Sequence, residues 1–157
     1  MTIRTGQGES GTETILAIFR ANGLLLSAGD ELAADVGLTA ARWQVLGALA
    51  LATEPLTVPQ VARRMGLARQ SVHATVKHLL GDGLVELVPN TDHQRSQLVC
   101  LTRKGLSKFQ AIDQLQAAWV NQLVVGLTRS ELKVTARVLG ELCARLEAAR
   151  NEEGDKG

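Results

Sequence analysis

Between Thr57 and Leu101 the hydrophobic pattern is helical twice and then switches to strand-like alternation, and few small folds accommodate that order. Val58, Val61, Ala62 and Met65 share one face of a short helix. Thr57 and Gln60 in front of it have the spacing of a capping box, in which each side chain satisfies an orphan backbone N–H. Gly66-Leu67-Ala68 is a tight break. The stretch from Arg69 to Leu80 resumes a helix with Val72, Val76, Leu79 and Leu80 inward, and Gly81-Asp82-Gly83 stops it. Leu84 to Val88 reads as a strand, Pro89 to Gln97 as a polar tip, and Leu98 to Leu101 as the return strand. Two helices across a tight turn followed by a two-stranded hairpin form the winged helix-turn-helix pattern. The other arrangement with this order is an ordinary small α+β domain.

The flanks are helical and too long for that small domain alone. Ile15, Phe19, Leu26 and Ala33 lie near one stripe of a helix from Glu13 to about Ala34. Thr39 can cap a second, with Trp43, Leu46 and Leu49 inward. Beyond the hairpin, Thr102 can cap a helix carrying Leu106, Phe109, Ile112, Leu115, Trp119 and Leu123 as far as about Val125. Thr128 and Glu131 make a second capping box, before a last helix with Leu132, Leu139, Leu142 and Leu146. The expected fold is mainly α with a small β-hairpin wing. A winged helix-turn-helix domain occupies residues 36–102, and residues 13–35 and 103–150 form a helical dimerisation region. Residues 1–12, polar and Gly-rich, and the charged tail 151–157 are expected to be disordered.

Composition narrows the function. With 157 residues the chain is about one domain. Aromatics are 3% and tyrosine is absent, so Leu, Val and Ala carry the core, which favours helices. Cys100 and Cys143 stand far apart, neither a disulfide framework nor a CxxC motif, and read as inert, buried small hydrophobes. There is no G-x-S-x-G, P-loop or H-E-x-x-H, so the chain reads as a non-enzyme needing no cofactor. His73 and His78 are five apart on a helix and point about 140° away from each other, so no metal site is expected. No apolar run approaches the ~18 residues of a membrane span, and the first residues lack the apolar core of a signal peptide. A reducing, cytoplasmic setting is the expectation, with no membrane partner.

The formal charge of +1 conceals an uneven distribution. Thr57 to Gly105 carries seven Lys and Arg against three Asp and Glu, a net of +4, while the rest carries ten against thirteen, or −3. All three histidines, His73, His78 and His93, fall in the positive segment. Opposite the Val72/Val76/Leu79 stripe lie Gln70, Ser71, Ala74, Lys77 and His78, with His73 at one edge. No acidic residue stands between Arg69 and Gly81. Gln can pair bidentately with adenine, Lys can reach guanine or phosphate, and small Ala74 and Ser71 permit close approach. An ordinary exposed helix would mix Glu with Lys. The face fits double-stranded DNA. The rival is a non-catalytic winged-helix protein-interaction module, which calls for an apolar or acidic face.

The stretch from Gly66 to Gly105 resembles the recognition helix and wing of MarR-type (multiple antibiotic resistance) regulators. The resemblance rests on Arg69-Gln70-Ser71-Val72, Gly83-Leu84-Val85, Asp92-His93-Gln94-Arg95-Ser96, and Leu98-Val99-Cys100-Leu101-Thr102 with Gly105. Helix order extends it over roughly residues 12–150. It implies a homodimer whose base is the first and last two helices, with a recognition helix in the major groove and an Arg-tipped wing in the minor groove. It implies a transcriptional repressor at a pseudo-palindromic operator, of a kind often released by a small phenolic or lipophilic ligand; for this chain the expected effector is a small apolar or aromatic carboxylate. The wing arginine carries over to Arg95 and the acid to Asp92. Gln94 stands where a second arginine is common, the acid lies three residues before Arg95 instead of two, and Ala68 replaces a capping Ser or Thr. The expected DNA-binding residues are Arg69, Gln70, Ser71, His73, Ala74, Lys77, His78, Arg95 and Ser96. Trp43 and Phe19 are the ligand-binding candidates. Ile15, Phe19, Trp119, Leu142 and Leu146 are the expected dimer-interface residues.

Overall fold

The computed structural model describes residues 3–91 and 96–154, and side chains as far as residue 150. The elements are α1 (Gly6–Ala34), α2 (Ala40–Ala50), β1 (Leu56–Thr57), α3 (Val58–Met65), α4 (Arg69–Gly81), β2 (Val85–Val88), β3 (Leu98–Leu101), α5 (Arg103–Leu123) and α6 (Arg129–Gly154). Contacts divide the chain into two compact units, residues 1–117 and 118–157.

In the first unit, helix starts follow side-chain caps. The Gly8 N–H donates to Thr5 Oγ1 at 3.1 Å, so α1 begins at Gly6. This corrects the expectation of disorder through residue 12: one good cap and Glu9 in the first turn outweigh three glycines. Thr39 caps α2 through the Arg42 N–H. The Ala40 N–H donates to Asp30 Oδ1 at 2.7 Å, tying α2 to α1. The Thr57–Gln60 capping box forms as its spacing requires, with the Thr57 N–H donating to Gln60 Oε1 at 2.7 Å. Gly66, at φ 63°, turns the chain out of α3, and Gly83, at φ 67°, turns it out of α4.

The sheet is three-stranded, in the order β1-β3-β2 and antiparallel throughout. The expected two-stranded hairpin is therefore incomplete. Leu56 pairs with Val99 and Thr57 with Leu98, so β3 is the central strand. A two-residue strand merging into a helix cap carries no alternation to reveal it. The core is built from Val45, Leu46, Val61, Val72, Leu79, Val99 and Ile112, all with less than 2% exposure. It draws on α2, α3, α4, β3 and α5, and α1 contributes only Gly29 and Ala33 to the buried set.

Entry into α5 is fixed by Thr102. Its hydroxyl donates to the Gly83 carbonyl at 2.7 Å and accepts from the Gly105 N–H at 3.0 Å. Lys104 Nζ donates to the Asp82 carbonyl at 2.7 Å. In the second unit, Gly126 at φ 87° precedes the capping box of α6, where the Thr128 N–H donates to Glu131 Oε2 at 2.7 Å and the Glu131 N–H to Thr128 Oγ1 at 3.2 Å. α6 runs on to Gly154, so the tail expected to be disordered from residue 151 is helical for four residues more.

Candidate nucleic-acid interface

α4 presents its faces as the period requires. Val72 and Leu79 are fully buried and Val76 nearly so. Arg69, Gln70, Ser71, His73, Ala74, Lys77 and His78 are all exposed. Thr75 is half-buried and its hydroxyl donates to the Ser71 carbonyl at 3.0 Å, which keeps a polar group inside the helix's own ladder. The ends of α4 are held differently. Ala68 supplies no side-chain cap. At the far end, Arg42 of α2 donates to the Asp82 carboxylate at 2.9 Å, and Lys104 holds the Asp82 carbonyl.

Beside α4 lies an open groove of about 780 Å³. Arg69, Gln70, His73, Ala74 and Lys77 form its α4 wall. Val58 and Pro59, at the start of α3, meet Leu80 and Leu87 at its floor, and Ser96 and Gln97 close the hairpin side. No lining residue among those described is acidic. The participation of Val58, Pro59, Leu87 and Gln97 escaped the sequence reading. They stand up to 39 positions apart in the chain and no single-element period connects them.

Of the two expected wing contacts, Ser96 is half-buried, and the Asn90 side-chain amide donates to its hydroxyl at 3.5 Å across the hairpin. Arg95, with Asp92, His93 and Gln94, lies outside the described residues.

The two ligand candidates are not brought together within the chain. Trp43 is half-buried, with ring atom Cζ3 3.7 Å from the point a Cβ on Gly29 would occupy. Phe19 lies ten residues earlier on α1, roughly 15 Å along the axis, and is 69% exposed. Of the residues assigned to a dimer interface, Ile15, Phe19 and Leu146 are exposed in the single chain, whereas Trp119 and Leu142 are half-buried. Leu16, Leu24, Leu25 and Leu26 are exposed on α1 as well.

The cysteines differ from each other. Cys100, half-buried on β3 opposite Glu86, has its thiol pushed above the ordinary value, first by burial and then by the Glu86 carboxylate. Cys143 is exposed, which corrects the reading of both as buried: Leu139 and Leu142 of the same helix are half-buried, and Cys143 lies off their side.

The MarR family pattern matches residues 36–96, from the α1–α2 connection to the hairpin tip. An uncharacterized protein of Mycobacterium tuberculosis (strain H37Rv) is 38% identical over 133 residues, covering 85% of this chain and 92% of the relative. The transcriptional activatory protein BadR of Rhodopseudomonas palustris is 29% identical over 99 residues, 62% of this chain and 57% of BadR. Among solved structures, transcriptional regulator PA3341 superposes with a TM-score of 0.75 at 26% identity, covering 87% and 98% of the two chains. The M. tuberculosis regulator MOSR, solved in complex with DNA, gives 0.71 at 23%, covering 87% and 97%. CouR from Rhodococcus jostii RHA1, bound to p-coumaroyl-CoA, gives 0.72 at 20%, covering 81% and 88%. In sequence pattern, element order and fold alike, the chain belongs to the MarR family of transcription regulators.

Proposed function

We propose that this chain is a sequence-specific, double-stranded DNA-binding transcription regulator that acts as a homodimer and represses until a small ligand releases it. The observation that carries the reading is the exposed face of α4. From Arg69 to His78 it offers two fixed cations, one amide, two imidazoles and two small residues, and no carboxylate. Such a face suits a major groove lined with acceptors and flanked by phosphates. Arg95 and Ser96 are assigned to the wing's DNA contact. The complex of MOSR with DNA supports the reading, since the two chains share a fold.

Dimerisation is supported by the apolar surface of the single chain. Ile15, Leu16, Phe19, Leu24 and Leu25 are all at least 44% exposed on α1, and Leu146 is 67% exposed on α6. Soluble chains rarely leave such a stretch uncovered. A two-fold dimer places two α4 helices on half-sites ~34–36 Å apart. The effector is assigned the chemistry of an apolar or aromatic carboxylate, with Trp43 and Phe19 as ligand contacts. CouR, which shares the fold, was solved with an aromatic acyl compound bound, p-coumaroyl-CoA, a thioester and not a free carboxylate.

The test is affinity against salt concentration, on a duplex selected by the protein and on a scrambled one. Gln70→Ala is expected to cost about 1–3 kcal/mol on the selected duplex and little on the scrambled one. Lys77→Ala and Arg95→Ala are each expected to weaken both and to lower the salt slope by about one unit per subunit. A chain that binds no duplex at low salt is a protein-interaction module instead.

A further inference from the structure

The groove between α4 and the hairpin has two chemistries in one concavity. Its upper wall carries Arg69 and Lys77, and its floor is Val58, Pro59, Leu80 and Leu87. Leu87 is 37% exposed, so this floor faces solvent in the free chain. A base edge offers polar groups and, at thymine alone, a methyl, and a phosphate has no apolar side to rest on such a floor. A sugar–phosphate strand of DNA has both characters, because every anionic phosphate alternates with a deoxyribose whose C2′ methylene is apolar. The geometry agrees. A helix seated in a major groove and a hairpin reaching the adjacent minor groove must straddle the one strand that separates the two grooves.

We propose that this groove is a deoxyribose-phosphate site: it holds the crossing strand, with phosphates at Arg69 and Lys77 and the sugar edge against Val58, Pro59 and Leu87. This rests on the DNA-binding reading above and adds to it a chemical selection that base contacts do not supply. A 2′-hydroxyl turned onto that floor loses water and gains no partner there, whereas a C2′ methylene buries favourably. The surface therefore tells deoxyribose from ribose at defined positions of the operator. It also makes Leu87 of β2, which no base-contact reading of α4 includes, a determinant of affinity.

The experiment uses the full chain and the duplex it enriches most from a random pool. Single ribonucleotides are placed at each position of each strand in turn, and affinity is measured by titration. In the wild-type chain, one or two adjacent sugars per half-site are expected to lose about tenfold when given a 2′-hydroxyl, and the other positions to stay near unity. A 2′-fluoro sugar, which keeps the ribose pucker but cannot donate a hydrogen bond, is expected to be tolerated at the sensitive positions. Leu87→Ser is expected to flatten the ribonucleotide profile. Leu87→Glu, which puts a carboxylate beside the strand, is expected to weaken all duplexes at low salt by about tenfold or more, and Leu51→Glu, the same charge change outside the groove, by far less. A flat profile in the wild type, equal loss from 2′-fluoro and 2′-hydroxyl sugars, or wild-type affinity in Leu87→Glu overturns the assignment while DNA binding stands. Failure to enrich any duplex overturns DNA binding itself.

Discussion

The carbonyl oxygen of Leu84 occupies the place where a Cβ on Gly105 would go, and its carbonyl carbon is 2.9 Å from that point. The same oxygen accepts the Thr102 N–H at 3.1 Å, so it cannot swing away without losing a hydrogen bond. Gly105 is buried in the first turn of α5, where the helix start presses on the chain entering the hairpin. Leu84 and the threonine and glycine three residues apart, Thr102 and Gly105, are thus one packing contact.

Gly105→Ala is expected to destabilise the protein by about 1–3 kcal/mol or more, because the clash is with backbone and the gain in helix propensity is smaller. Gly140→Ala is the counterpart. Nothing lies within 4 Å of its Cβ position in α6, and it is expected to stabilise by about 0.5–1 kcal/mol. Urea denaturation of the two variants should give opposite signs.

Thr57→Ala removes the hydroxyl that accepts the Gln60 N–H and is expected to cost about 1 kcal/mol. Because Thr57 also pairs with Leu98, amide exchange should accelerate in β3 as well as at the start of α3. Acceleration confined to α3 would show that the two elements are uncoupled.

The Glu131 carboxyl is held below its ordinary value of 4.5, first by the Thr128 hydroxyl and then by the Thr128 N–H. A depressed folded-state value means that this contribution is present above the unfolded value and is lost as pH falls through the folded one. The start of α6 is therefore expected to fray only on the acid side of ordinary carboxylate titration. A carboxyl-shift NMR titration should place Glu131 below a free glutamate, and Thr128→Ala should move it upward.

The two thiols should separate kinetically. Cys100 is expected to alkylate slowly near pH 8 and to gain reactivity only at higher pH, since burial and Glu86 disfavour its thiolate. Exposed Cys143 is expected to react first in the isolated chain. Mass spectrometry of a timed iodoacetamide reaction reads both. Equal rates would contradict the environment of β3.

Legibility in the sequence followed how local each signal is. Thr39, Thr57, Thr102 and Thr128 mark helix starts within four residues of themselves, and all four cap as their spacing requires. The exposed face of α4 follows from the position of Val72, Val76 and Leu79 alone. The start of α1 was hidden because Gly6, Gly8 and Gly11 argue against a helix more loudly than Thr5 argues for one. β1 was hidden because its partner is more than forty residues away. Separation in the chain hid the groove too, since its lining joins Val58 to Leu87, 29 positions later. Periodicity alone places Trp43 inward, as it is, but does not announce Gly29 as its neighbour.

Thr57 is the last residue of β1 and the residue that caps α3, and β1 is bonded to the central strand β3. β1 thus ties the hairpin to the helical pair through two register pairs, Leu56 with Val99 and Thr57 with Leu98, and the described ladder of β2 and β3 runs from Val85–Leu101 at the root to Val88–Leu98 below the tip. Mount and tool are separable: the tip can be recut in length or charge while the reading helix keeps its aim. A lineage, or an engineer, can therefore retune what the wing touches without refolding what holds it.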